Sequence, residues 1–304
     1  MSAQLYGVDM FGASMAPKPT GPVAERFLFS PFTVLDARSG DWQERKRAWA
    51  SLGMKSEEGR DKGMTYGAGL GIKLASGEES QTSIFDPVLC ELAYRWFCPE
   101  GGQVVDPFAG GSVRGIVAAQ LGLNYWGCDL RAEQVKANRA QAETICGDVK
   151  PQWVCGDSME TLATAPAADF IFSCPPYGDL EVYSDDPADL STMEWHTFVA
   201  AYKRIILRAV QRLKNDRFAC FVVGDFRDQK GFYRDFVSTT IRAFEECGAR
   251  LYNEAILATS VGSAGMRVTK QFDASRKMAK THQNVLVFCK GDPRKAAAAC
   301  KAAT

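Results

Sequence analysis

The chain has 304 residues, 46% of them hydrophobic, with 36 basic and 36 acidic side chains and a formal net charge of zero. That length supports one large domain or a domain with an appendage, and the neutral balance argues against a polybasic binder whose affinity comes from its overall field. Ten cysteines without a Cys-x-x-Cys pair, and only two histidines (His196, His282), argue against a structural zinc site or a disulfide framework.

The cysteines read as reduced thiols of a cytoplasmic protein, and no metal is expected. Residues 1–10 contain Asp9 and lack the basic-then-apolar order of a signal peptide. No apolar run approaches the ~18–20 residues of a membrane span. Residues 1–30, rich in Gly, Pro, Ala and Ser, read as an arm or strap. Trp42 and Trp49 lie seven apart around Arg45, Lys46 and Arg47, the pattern of a short helix with a basic face. Such a helix either packs its tryptophans on the main domain or faces nucleic acid. A polar, Gly-punctuated stretch runs from there to about residue 80.

From Ser83 the pattern becomes regular. Asp86-Pro87 starts a helix through Leu89, Leu92, Ala93 and Trp96, broken by Gly101-Gly102. Residues 103–106 form a short buried strand, followed by a glycine-rich turn and a helix with Val113, Ile116, Val117 and Leu121 on one side. Residues 124–129 are a strand, 131–143 a helix, 152–155 a strand, and 169–173 a strand ending in Cys174-Pro175-Pro176-Tyr177. Residues 193–213 are the clearest helix, with Phe198, Tyr202, Ile205, Ile206, Ala209 and Val210 on one stripe. Residues 218–223 are a strand and 232–247 a helix. The last two strands, 251–258 and 284–289, show no long helix between them and suggest an antiparallel pairing. Residues 291–304 read as a flexible tail. Alternating strands and helices imply a mostly parallel sheet covered on both faces, an α/β doubly wound architecture.

In such sheets ligands bind beyond the carboxyl ends of the strands, where strand order reverses. The turn Asp106-Pro107-Phe108-Ala109-Gly110-Gly111-Ser112 lets a ligand approach the backbone and offers helix N–H groups. Asp129 ends the next strand, placed to accept from ribose hydroxyls or to cap the following helix. Gly156-Asp157-Ser158 follows the third strand, where Asp157 can meet an adenine amino group or cap a helix. Three acidic strand ends in one topological place point to a nucleoside site. In the Cys174–Tyr177 tetrapeptide two prolines end the ladder and hold carbonyls rigidly at the cleft, and Tyr177 offers a flat face for a planar ring. The alternative is a strand terminator with a packed tyrosine.

The pair Asp106–Ser112 and Cys174–Tyr177 resembles the amino-group DNA methyltransferases, including phage- and prophage-type DNA methylases. Their motifs commonly read Asp-Pro-Phe-x-Gly-x-Gly and (Asp/Asn/Ser)-Pro-Pro-(Tyr/Phe). The resemblance covers roughly residues 83–290. It implies a Rossmann-like class I fold with a seven-stranded, mostly parallel sheet and an antiparallel last strand. It also implies S-adenosyl-L-methionine (AdoMet) as cofactor and methyl transfer to an exocyclic amino group of a flipped DNA base. Ser83-Ile84-Phe85-Asp86-Pro87 resembles the segment that helps bind the methionine end of AdoMet. Tyr252-Asn253-Glu254 through His282–Phe288 resembles the C-terminal part of these methylases. The resemblance thus assigns Phe85, Asp86, Asp106, Phe108, Gly110, Gly111, Ser112, Asp129, Leu130, Asp157 and Ser158 to the cofactor, and Cys174, Pro175, Pro176 and Tyr177 to catalysis.

Two positions depart from the pattern. Gly110-Gly111-Ser112 stands where Gly-Ser-Gly is usual, and Cys174 stands where Asp, Asn or Ser is usual. Cysteine is a weak acceptor, so the Pro175 carbonyl carries more of the positioning. Cysteine is close to serine in size, and serine is the usual residue in the cytosine-N4 members of the family, so the resemblance implies cytosine N4 in preference to adenine N6. For DNA phosphates the basic segment carries Arg267, Lys270, Arg276, Lys277 and Lys280 against Asp273; the alternative is a solvated loop. The acidic loop 179–189 has no assigned role. The division expected is an extension over 1–80, a methyltransferase domain over 81–290 and a tail over 291–304. Two other readings stay open: an RNA methyltransferase acting on guanine N2, and a non-enzymatic methyltransferase fold that binds nucleic acid. The oligomeric state and recognition sequence are not legible.

Overall fold

A computed structural model describes residues 22–54, 85–178, 186–262 and 264–301. The helices are α1 (Pro22–Phe27), α2 (Gly40–Ala50), α3 (Pro87–Phe97), α4 (Val113–Gln120), α5 (Ala132–Ile145), α6 (Ser158–Thr161), α7 (Trp195–Arg212), α8 (Phe236–Glu246), α9 (Ala264–Ser275) and α10 (Pro293–Ala299). The strands are β1 (Val34–Asp36), β2 (Gln103–Asp106), β3 (Asn124–Asp129), β4 (Gln152–Cys155), β5 (Ala168–Ser173), β6 (Leu213–Val223), β7 (Ala249–Ala258) and β8 (His282–Lys290). They form one sheet in the order β1-β7-β8-β6-β5-β2-β3-β4. Only β8 runs antiparallel, paired with both β6 and β7. The chain winds outward from β2 through β3 to β4, then returns across β2 to β5. Strand order therefore reverses between β2 and β5, and the loops leaving these two strands diverge to open a cleft.

The period-two alternation of buried strands builds the two layers. Val104, Phe170, Phe172, Phe218, Cys220, Val222, Val285 and Val287 face α2, α3, α4 and α10. Val105, Ile171, Ala219, Phe221, Val223, Leu286 and Phe288 face α7 and α8. β5 is buried at all six positions, as a central strand covered on both faces must be. α3 starts where Asp86 caps it, its Oδ1 accepting from Val88 N at 2.9 Å, with Pro87 in the first turn.

The structure departs from the sequence expectations at several elements. The sheet has eight strands, because β1 adds in parallel to the β7 edge. Three residues with one inward side chain, Leu35, are too short to register as a period. β1 and α2 thus belong to the main sheet and its core, which places them inside the body expected to begin at residue 81. A 12-residue helix, α9, fills part of the span between β7 and β8. The tail also folds: Asp292 caps α10, and Ala296 is fully buried against the sheet. β6 starts five residues earlier than expected and α8 four residues later, after a hairpin over 226–235. None of the ten cysteines is disulfide-bonded. No described helix is long and apolar enough to cross a membrane.

Candidate active site

A cavity of 640 Å³ lies at the reversal point, within the size range of small-molecule sites. The glycine turn forms one wall. Gly110 adopts φ +51°, in the left-handed region, with open space where a Cβ would stand. Asp129 ends β3 beside it. One carboxylate oxygen accepts from Gly110 N at 2.9 Å and the other from Arg131 N at 3.0 Å. Arg131, not Asp129, occupies the cap position of α5, so Asp129 is not that helix's cap. Burial pushes its carboxyl pKa up, against the two backbone N–H groups that favour the charged form. Each oxygen retains acceptor capacity for a hydroxyl pair. Asp157 lines the same cavity while capping α6 through Met159 N at 2.8 Å. Leu130, Phe108, Gly111, Phe85 and Asp86 complete this side. Ser158 lines it too, but its hydroxyl donates to Pro107 O at 2.5 Å and ties α6 to the turn.

Asp106 and Ser112 take other places. Asp106 is fully buried and absent from the cavity wall. It accepts from Phe108 N (3.1 Å), Ser173 Oγ (2.5 Å), Arg114 Nε (2.6 Å) and Tyr125 Oη (2.8 Å). Burial works against the Arg114 charge, yet Asp106 holds its pKa above the ordinary value. Arg114 also reaches Ala109 O at 2.9 Å, so the pair locks the turn from beneath. Ser112 is equally buried and donates to Gln141 at 3.0 Å. Both act as scaffold in this fold. Gly127 lets the turn lie on β3, since a Cβ there would meet the Ala109 methyl at 2.9 Å.

The opposite wall is Cys174, Pro175, Pro176 and Tyr177, in the loop leaving β5. The Tyr177 ring sits edge-on to Phe226 and Phe236, with centroids at 6.2 and 5.9 Å, and its hydroxyl accepts from Gln283 Nε2 at 2.9 Å. Gly224, Asp225 and Phe226, beyond β6, extend this wall. Lys280 also lines it. A Cβ at Gly224 would stand 3.6 Å from Lys280 Nζ and 3.9 Å from Tyr177 Cε1. Burial lowers the Lys280 pKa, with Asp225 opposing. Burial and the Lys280 charge lower that of His282.

The other predicted cations separate from Lys280. Lys270 is exposed on α9. Arg276 follows it at φ +54°, stacked over Phe272 at 5.3 Å and 3.8 Å from Asp273. Lys277 reaches the hairpin and touches Gly231. Arg267 lies on α9, its side chain outside the described residues, as are positions 83–84 and 179–185 of the acidic loop. Of that loop's remainder, Asp189 caps a short turn and lines the cavity. No described group of His, Cys, Asp and Glu side chains is arranged to hold a metal.

Sequence reasoning missed Arg114, Tyr125 and Ser173, whose roles come from a three-dimensional network. It also missed Gly224-Asp225, although an acid just past a buried strand carries the same signal as Asp129. Gln43 and Lys46 of α2 line the cavity as well.

The fold is that of a class I methyltransferase. No family model matches the chain, and no curated protein matches its sequence. Among solved structures it is similar to TrmN from Thermus thermophilus, at 15% identity over 67% of this chain and 48% of that one, with TM-score 0.46. It spans about half the length of that TrmN chain. A putative RNA methyltransferase, PH1948 from Pyrococcus horikoshii, shares 15% identity over 67% and 82% of the two chains, TM-score 0.45. Magnesium protoporphyrin IX methyltransferase (ChlM) from Synechocystis PCC 6803, with bound SAM, shares 11% over 64% and 71%, TM-score 0.41. The strand order carries the fold assignment.

Proposed function

We propose that the chain is an AdoMet-dependent methyltransferase acting on an exocyclic amino group of a DNA base, cytosine N4 in preference to adenine N6. One observation carries the reading: a single cavity at the reversal point joins the Gly110–Asp129–Asp157 wall to the Cys174–Tyr177 wall. The first wall fits a nucleoside, with acceptors for a hydroxyl pair at Asp129, an acceptor at Asp157 and an open backbone at Gly110. The second fits a planar base with its amino group among small, rigid groups.

When bound, AdoMet supplies an electrophilic methyl on a sulfonium. Asp129 and Asp157 hold the nucleoside end. The Pro175 carbonyl accepts a hydrogen from the target amino group, and Cys174 forms the small wall beside it. Tyr177, fixed by Gln283, Phe226 and Phe236, supports the base ring. The chain's part is positioning, which is most of such catalysis. With AdoMet bound as methyl donor, these residues would hold the target amino nitrogen toward the sulfonium side of the cleft and leave it free to release its proton after transfer.

The test is transfer of tritiated methyl from AdoMet to duplex DNA, single-stranded DNA and tRNA, followed by mass spectrometry of the nucleosides. N4-methylcytosine in DNA is expected. Label in tRNA alone would replace the DNA reading with an RNA one. Absence of AdoMet binding would leave the non-enzymatic reading.

A further inference from the structure

We propose that Lys46 and Asp86 form the subsite for the α-amino acid end of the cofactor, with Lys46 holding its carboxylate. The inference rests on the AdoMet reading and adds a cofactor-binding residue from the N-terminal helix, outside the segment in which cofactor contacts were expected.

Lys46 Nζ lies 3.2 Å from Asp86 Oδ2, and both line the cavity beside Gln43. Phe85, next to Asp86, packs edge-on to Phe172 at 5.6 Å and under the Arg114 guanidinium at 4.7 Å. Arg114 in turn holds the carbonyls of Phe108 and Ala109, the start of the glycine turn. Asp129 binds the same turn further along, at Gly110 N. The walls therefore run from Asp157 through Asp129 and the turn to Asp86 and Lys46. A ligand whose nucleoside lies at the first two acids carries its tail toward the last two.

The chemistry of the two side chains fits that tail. An α-amino acid is a zwitterion, and an ion pair in a cavity wall offers it a charge of opposite sign at each pole. Asp86 is already supported without Lys46. Its Oδ1 takes the first amides of α3, and its Oδ2 accepts from Trp42 Nε1 at 3.2 Å. Lys46 is 40% exposed, and an ion pair so exposed adds little to stability. Exchanging Asp86 for a ligand carboxylate therefore costs Lys46 little. The other described cations on the cavity wall lie elsewhere. Arg114 is held by Asp106, Arg131 follows β3 at the nucleoside end, and Lys280 flanks Tyr177.

The helix that carries Lys46 is fixed. Its neighbour Arg45, 5% exposed at the side chain, pairs with the fully buried Glu91 of α3 at 2.6 Å. Trp49 Nε1 donates to the same carboxylate at 2.8 Å. Lys46 is thus presented by a helix locked to the one Asp86 caps, so the two charges keep a set spacing without their own bond.

The test is calorimetry on the full chain with two ligands, S-adenosylhomocysteine and 5′-methylthioadenosine. They share the nucleoside and the thioether sulfur, and only the first has the amino acid end. Lys46→Ala is expected to weaken S-adenosylhomocysteine about ten-fold and to leave methylthioadenosine within about two-fold. Lys46→Arg should keep most of the wild-type preference between them. Unchanged S-adenosylhomocysteine affinity in Lys46→Ala, with or without weaker DNA binding, would overturn the inference. An equal loss for both ligands would do the same, because it reports distortion of the whole site. If the wild-type chain binds neither S-adenosylhomocysteine nor AdoMet, the proposed function fails and this inference with it.

Discussion

Among single residues, Asp129 and Cys174 bear most directly on the chemistry. Asp129 has both oxygens engaged by backbone N–H groups, so its orientation is set before any ligand arrives. Removing a charge-assisted acceptor costs roughly 1.5–3 kcal/mol. Asp129→Ala should therefore weaken AdoMet by about ten-fold or more in calorimetry; unchanged affinity would remove Asp129 from the cofactor wall. Cys174 tests the route of transfer. A carbon-5 mechanism needs a cysteine activated by a neighbouring cation. Arg114, the buried cation in electrostatic reach of Cys174, is committed to Asp106 and two carbonyls. Direct transfer to nitrogen needs only a small acceptor. Cys174→Ser should keep substantial activity with the product methylated on an exocyclic nitrogen. An inactive serine variant, together with a covalent complex between wild type and 5-fluorocytosine DNA, would favour the carbon-5 route instead.

Of the elements, α2 shows how a locally unremarkable segment becomes structural. Its basic residues predicted a basic face, and the structure turns the first of them, Arg45, inward. Arg45 pairs with Glu91, while Trp42 and Trp49 are nearly inaccessible. Burial works against the Glu91 charge, yet Arg45, Arg95 and Trp49 together hold its pKa below the ordinary value. Glu91→Gln leaves Arg45 buried without its counter-charge and should cost about 3 kcal/mol in urea unfolding. Replacing both partners with Met should cost less, because no unpaired charge remains. A carboxyl with a lowered folded pKa stabilises above its unfolded value and loses that contribution as pH falls. The gap between wild type and Glu91→Gln should therefore narrow below about pH 4. A gap independent of pH would mean that the ion pair is not its source. The same helix marks where sequence stops being legible. Elements with strong periods, such as α3 and α7, could be read directly. β1 offers one buried residue to a pattern of two, and α9 carries exposed Met266 and Phe272 where a helix stripe should be buried. Arg45 inside and Met266 outside are choices made by neighbours distant in sequence, and no local window contains them.

At the scale of the whole molecule, the reversal of strand order gathers the loops after β2, β3, β4, β5 and β6, together with side chains of α2, into a single cleft. The two motifs were legible because each follows a strand by fixed backbone logic. The turn needs glycine at positive φ, and the prolines end a ladder. Which acids face the cleft was not legible, because Asp106 and Asp129 end adjacent strands alike and differ only in what lies beneath them. Net charge is equally silent on location. The chain is neutral overall, yet Lys270, Arg276 and Lys277 cluster on α9 and just after it, with Lys277 against the 226–235 hairpin. That hairpin adds Arg227, stacked 4.0 Å over Tyr233, and an exposed Phe232, and it leads out of the wall formed by Asp225 and Phe226. Arg276 is 72% exposed, and its 3.8 Å pair with Asp273 is weak enough to yield to phosphate. If this rim contacts the DNA backbone, each cation that meets a phosphate releases a counterion. Replacing Arg276 and Lys277 with alanine should then weaken binding across sequences and flatten the log–log salt dependence by up to about 2. Fluorescence anisotropy with duplexes of unrelated sequence at several salt concentrations measures both effects. Wild-type affinity and slope in the double variant would return the rim to solvent and leave the cleft to bind its base without it.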